Sequence, residues 1–297
     1  MKQPFIIFAL LFILGSIWGS GPVINKIAIS NGVTPLGYSF WQFIGPAILL
    51  TLIASVQGVL QLSKKHIPYY IVCGLIGIAI PNTILHFCAP HLPAGIMPII
   101  INTVPIMIYP LAILAKQETF FLKRFIGILI GIIGIMILLL PNVSLTDKNM
   151  LPWAFLALIS PLCFALTALF VNPYRPADTS SISLAAGMLL SAAIILTPIL
   201  ILRGDYYPIS FPFNYADYAI SFRICLSSLG YIILFVVLQK AGAVYYSLVS
   251  GIVILNGLFW GYMIYGETLN ATSIFAITAI LLAIIIMNSS HKKAEPA

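Results

Sequence analysis

Ten apolar stretches, most of them long enough to cross a bilayer, follow one another at residues 5–24, 35–56, 67–87, 93–114, 125–140, 151–171, 180–202, 218–238, 243–265 and 272–287. A helical span needs about 20 apolar residues. Lipid offers the backbone no hydrogen-bond partner, so only helices and closed barrels cross it, and long unbroken runs are helices. Only 7% of the residues are charged, against about 25% in soluble proteins. The expected fold is an all-α polytopic membrane protein with ten transmembrane helices.

The first run imitates a signal peptide, with Lys2, an apolar stretch and then Gly15 and Ser16. It continues through Trp18 and Pro22, lacks an A-x-A site and is long enough to span, so it is read as the first span. Basic residues in short loops set the orientation. With the N-terminus in the cytoplasm, ten basic residues, among them Lys64, Lys65, Lys116, Lys123, Arg124 and Arg175, face inward and only Lys26, Lys148 and Arg203 face outward. A bacterial-type inner membrane with both termini cytoplasmic is expected. The net charge of +7 then reflects topology and attraction to anionic lipid, not a nucleic-acid partner. Cys73, Cys88, Cys163 and Cys225 lie in or at the edge of spans without a C-x-x-C pair and are read as buried small apolar residues.

The chain is one unit written twice. Residues 82–118 laid on 231–267 put Ala94 on Ala243 and Glu118 on Glu267, an offset of 149 residues. The halves, residues 1–146 and 147–297, each hold five spans. Two copies of one fold with an odd number of spans enter the membrane from opposite sides. Such inverted five-helix repeats place a binding site near the midplane between them.

The stretch SIWGSGPVINKIA at the end of the first span, and the stretches PIMIYPLAILAKQETFFLKRFIGILIGIIG and ILNGLFWGYMIYGETLNATSIFAITAILLA, resemble the EamA-like family of the drug/metabolite transporter superfamily. The resemblance covers nearly the whole chain. It implies a carrier of amino acids, other small metabolites or drugs, with substrate in a central cavity formed by both halves. Members often carry an Arg early in span two, where this chain offers Gln42.

Positions three, four and seven apart share a helix face. Trp18, Pro22 and Asn25 line up in span one, and Tyr38, Gln42 and Gly45 in span two with Trp41 beside them. Asn82 and His86 follow Pro81 in span three. Pro98, Asn102, Pro105 and Tyr109 align in span four, and Arg223, Ser227 and Tyr231 in span eight. Span nine offers two faces, Tyr245 and Asn256 with Trp260 adjacent, or Ser247, Gly251 and Ile254; the first carries side chains able to hold a substrate and is preferred. Each lone polar residue also has a structural reading, as a bridge between helices. Tyr69, Tyr70, Tyr206 and Tyr207 are read as an interfacial belt.

An arginine inside a span is costly unless paired, wetted or snorkelling. Arg223 therefore either pairs with Asp217 or reaches the surface, or it reads a carboxylate or phosphate in the cavity. No Asp or Glu lies within the core of a span, which disfavours proton-coupled export of cationic drugs. Glu118 and Glu267, in joints before spans five and ten, are read as gating or structural. His86 is the ionisable group best placed for proton coupling, or else a neutral bundle residue. Gly127, Gly131 and Gly134 form a small-residue face for packing within the monomer or in a homodimer. His86 and His91 are poorly spaced for a metal. No cofactor and no enzymatic constellation is expected. The reading is a secondary transporter for small-molecule substrates, amino acids or similar zwitterionic or anionic solutes, exported by alternating access. The alternatives are an exporter of drugs or cations, a lipid flippase and a non-transporting scaffold.

Overall fold

The structure is a computed structural model that describes residues 2–61, 63–138, 148–176, 179–246 and 249–289, with side chains given for all of these except 2–5, 148, 171–173, 235, 238–246 and 288–289. The boundary expected near residue 146 lies outside the described residues. Helices fill the chain, and no strand occurs among the described residues. They are α1 (Lys2–Ser30), α2 (Pro35–Val56), α3 (Ile67–Gly74), α4 (Ile80–Cys88), α5 (Met97–Ile101), α6 (Val104–Leu114), α7 (Leu122–Leu138), α8 (Leu151–Ala157), α9 (Ile159–Tyr174), α10 (Ser181–Arg203), α11 (Tyr215–Tyr246), α12 (Val249–Tyr265) and α13 (Ala271–Ser289). Seven helical segments among the described residues are long and apolar enough to cross a membrane, and α12 and α13 are shorter apolar helices. With the 17-residue α7, they fall on the ten expected stretches.

Ordinary chemistry starts and stops these helices. Thr34 caps α2 by accepting from the Gly37 N–H at 3.0 Å, with Pro35 in the first turn. Asn214 accepts from the Ala216 and Asp217 N–H groups, while the Asp217 carboxylate accepts from the Asn214 N–H, a reciprocal cap on α11. Gly204, at φ 65°, ends α10. In the third span Pro81 has no N–H for the carbonyl four residues back. The chain responds with a π-turn at Leu75–Ala79, where the Ile80 N–H bonds Leu75 O five residues back. Ser160 of α9 then donates to Pro81 O at 2.9 Å.

The main helix pairs join one half of the chain to the other. α1 packs on α11 and α12, α2 on α10, α4 and α6 on α9, and α7 on α13. The Gly127, Gly131 and Gly134 face is filled by α13 of the same chain, since a Cβ on Gly134 would stand 2.8 Å from Ile280 Cγ1 and 3.0 Å from Ala276 O. Gly134→Leu should therefore force α13 away, at an overpacking cost of about 1–3 kcal/mol. Gly251→Ala, where a Cβ meets nothing within 4 Å, should be neutral. Thermal melting followed by size-exclusion chromatography in detergent separates the two; equal melting would show that the α7–α13 contact yields.

Two surface expectations need correction. Tyr69 and Tyr70 are 7% and 6% exposed, packed with Leu184, Phe170 and Met188, so they are core and not belt. Cys225 is exposed, unlike Cys73, Cys88 and Cys163, because it lies on an outward side of α11. Large apolar side chains exposed in mid-helix, among them Ile48, Ile194, Leu255 and Ile285, form the face for lipid.

Candidate functional site

A cavity of 630 Å³ opens where these helix pairs meet, lined by residues from α1, α2, the π-turn, α4, the α5–α6 break, α9, α10, α11 and α12. Nine of the expected positions line it: Trp18, Asn25, Gln42, Asn82, His86, Asn102, Arg223, Ser227 and Tyr231. Pro22, Pro98 and Pro105 share the wall. No Asp or Glu does.

Arg223 enters from α11 and donates from its guanidinium to Ile17 O of α1 at 2.9 Å. It lies so close to Gly21 that a Cβ there would stand 2.6 Å from a guanidinium nitrogen. That approach accounts for the glycine in the Ser20-Gly21-Pro22 sequence. Asp217 is not its partner. One oxygen of the Asp217 carboxylate, Oδ2, accepts from the Asn214 N–H and the other is buried without a hydrogen-bond partner, while the guanidinium bonds Ile17 O, so the expected alternative of a structural ion pair gives way to an arginine held in the cavity wall by a backbone carbonyl.

The neighbouring polar groups are fixed by local bonds. Tyr38 stands behind the lining, fully buried, and donates to Asn25 Oδ1 at 2.5 Å. Its ring meets the His86 ring edge-on, with centroids 4.8 Å apart. His86 Nδ1 lies 2.7 Å from Ser39 Oγ, and Ser39 Oγ donates to Pro35 O at 2.7 Å. A serine has one proton, so with that proton on Pro35 O the histidine is the donor at Nδ1. Gln42 Nε2 reaches toward Ile220 O at 3.5 Å.

Several expected residues lie elsewhere. Trp41 donates from Nε1 to Tyr207 O at 2.8 Å and packs with Phe40 and Tyr206, fastening the 204–214 loop onto α2. Tyr109 donates to Thr119 O, accepts from the Phe121 N–H and carries Arg124 over its ring at 5.3 Å, so it belongs to the joint after α6. Asn256 turns back to Ile252 O and packs on Gly19, and Trp260 pairs with Phe259 and is 37% exposed. The side chain of Tyr245 lies outside the described residues. From α12 the cavity receives Ser250 and Val253, a face between the two proposed for span nine. Phe164 and Ala168 of α9 also line it; apolar in an apolar helix, they carry no mark that sequence reasoning could read.

Glu267 holds one joint closed. Its carboxylate accepts from the Ala94 and Gly95 N–H groups at 2.6 and 2.8 Å, with Lys26 Nζ at 3.9 Å. Lys26 itself donates to Leu92 O and stands over the Tyr265 ring. Gly95 and Gly261 leave the room, since a Cβ on either would crowd the carboxylate. Glu118, the counterpart 149 residues earlier, accepts from Arg124 at 2.8 Å. His91 stacks on Trp153, and no cluster of metal-ligating side chains occurs among the described residues.

Comparison with known proteins places this architecture. The profile of the EamA-like transporter family matches the chain twice, over residues 5–140 and 151–289. The chain belongs to the EamA-like transporter family. It is thus a multi-pass membrane transporter of small solutes. It is similar to Protein PecM of Dickeya dadantii (strain 3937), 22% identical over 263 residues that cover 84% of this chain and 87% of that protein. An uncharacterized transporter of Clostridium kluyveri is 24% identical over 261 residues, 85% of this chain and 82% of its own. One solved crystal structure aligns over 97% of this chain and 99% of its own, with a TM-score of 0.65 and 14% identity; the likeness is one of fold.

Proposed function

We propose that this family member exports small carboxylate-bearing metabolites, amino acids first among them, by alternating access around the 630 Å³ cavity. The observation that carries the reading is Arg223, a cation in a lining that holds no carboxylate among the described residues. Burying an uncompensated charge is costly, and a substrate carboxylate compensates it with charge-assisted bonds. The same lining disfavours cationic drugs, which would meet a like charge and no acid.

The inverted repeat supplies the movement. The family profile matches each half separately, and exchange of the halves carries the α1–α12 contact onto the α9–α6 contact and leaves the α2–α10 and α7–α13 pairs in place. Carriers of this design rock one repeat against the other around a fixed site. The Glu267 clasp closes one end, and the joint of Glu118 occupies the corresponding place at the other. The basic residues of the short loops orient both termini toward the cytoplasm, in an inner membrane.

Uptake of labelled amino acids into proteoliposomes, with and without a pH gradient, tests the reading. Saturable uptake competed by carboxylate-bearing solutes is expected. Acceleration by the gradient would show proton coupling and make His86 the first residue to replace in search of the carrier. No uptake of any amino acid, or competition by cations alone, would reject the substrate class.

A further inference from the structure

We infer that the cavity carries a second recognition pole, built from oxygen acceptors on α4 and the α5–α6 break, that binds the ammonium group of the substrate; the inference rests on the carrier reading above and adds the amine to it. Hydrogen bonds fix the polarity of the pole. Asn82 donates from Nδ2 to Ile78 O at 2.8 Å, and Asn102 donates from Nδ2 to Pro98 O at 2.7 Å. A carbonyl can only accept, so each amide must turn its nitrogen to the backbone and keep its oxygen for another partner. Both residues line the cavity.

A backbone oxygen joins them. Pro105 has no N–H, so Ile101 O, four residues earlier, loses its helical donor. The nearby amides are spent elsewhere: Asn102 N on Pro98 O, Thr103 N on Ile100 O, and Ile106 N on Thr103 O. Ile101 and Pro105 both line the cavity. Asn25 shows the opposite polarity, for its oxygen is taken by the Tyr38 hydroxyl and its nitrogen remains the donor. Donors thus come from α1 and α11, through Asn25 and Arg223, and acceptors from α4 and the α5–α6 break. A solute with a carboxylate and an ammonium matches both sets; a plain carboxylate satisfies one of them. Three or more oxygens would also suit a sodium ion, but the surrounding space is that of a solute and not of an ion cage.

Competition against labelled leucine in proteoliposomes tests the pole. Leucine, N-acetyl-leucine, 2-hydroxy-4-methylpentanoate and leucinamide differ in which pole they satisfy. The expected result is that the N-acetyl and 2-hydroxy compounds compete about tenfold or more weakly than leucine, because each leaves acceptors unpaired. Pro105→Ala, which restores a donor for Ile101 O, and Asn102→Leu should each shrink that ratio toward one by weakening leucine alone. If the 2-hydroxy compound competes as well as leucine in the native protein, the amine pole is overturned while the carboxylate reading stands. If no carboxylate competes, the carrier reading itself fails. A sodium requirement with no preference for the amino group would reassign the acceptors to a coupling ion and overturn the inference. Should Pro105→Ala fold poorly, Asn82→Leu makes the same comparison without touching the helix break.

Discussion

Arg223→Ala should lower kcat/KM for carboxylate substrates by roughly 10- to 100-fold, the loss of one charge-assisted interaction of about 1.5–3 kcal/mol in a site shielded from water. The fold should survive the change. Arg223 makes one bond to the frame, to Ile17 O, and packs on Gly21, so its removal opens space and strands no carboxylate. Arg223→Lys separates charge from shape: it keeps the cation but loses the planar fork, and should fall between native and alanine. Uptake in proteoliposomes, beside melting of each variant in detergent, is the measurement. Native uptake in a well-folded Arg223→Ala protein would take the arginine out of substrate recognition. A variant that melts early and transports in proportion to its folded fraction would lead to the same conclusion.

How much of this is legible in the sequence depends on contrast. A polar side chain in an apolar helix stands out, and helical spacing then groups such residues on one face. That contrast is why Asn25, Gln42, Asn82, His86, Asn102 and Ser227 could be picked out and do line the cavity. Contrast fails in two ways. Aromatic residues with a polar tip are equally conspicuous at helix ends, where Trp41 and Tyr109 fasten loops and joints. Apolar lining is invisible, so Phe164, Ala168 and Val253 left no trace. On α12 the cavity-facing strip falls between two faces that each looked plausible, because Ser250 is the single polar residue on it.

The Asp217–Arg223 pair shows how spacing can decide what proximity in sequence cannot. Six residues along a helix put two side chains on different sides, and the carboxylate is better used on the Asn214 N–H at the start of α11. Pro81 lacks the N–H that a regular helix needs in span three, but the way round it, a π-turn, depended on which neighbouring amide could reach across the missing bond. The repeat was proposed from Ala94, Glu118 and their counterparts, and the family profile matches the chain twice. What Glu267 binds was not, because its partners are two backbone N–H groups, which every residue but proline possesses.

Those partners make Glu267→Gln a sharper test than its conservative appearance allows. Two N–H donors, of Ala94 and Gly95, meet two carboxylate oxygens at 2.6 and 2.8 Å. A glutamine offers one oxygen and one NH2, so one of the two N–H groups would face another donor. Glu267→Gln should therefore lose more than half of what Glu267→Ala loses. The glutamate side chain is 19% exposed and water can reach the abandoned donors, so the alanine cost should be about 1–3 kcal/mol in all and not that amount for each bond. Lys26→Met should cost less, since Lys26 Nζ stands 3.9 Å from the carboxylate and a partly exposed pair at that distance contributes about 0–1 kcal/mol. Because the clasp ties the α12–α13 joint to the segment entering α5, loosening it should slow turnover several-fold while substrate affinity stays near native. Melting temperature and the split between kcat and KM report the two effects separately. A Glu267→Gln protein with native melting and native turnover would remove the clasp from the transport cycle, whereas loss of affinity with unchanged turnover would move Glu267 into the binding site.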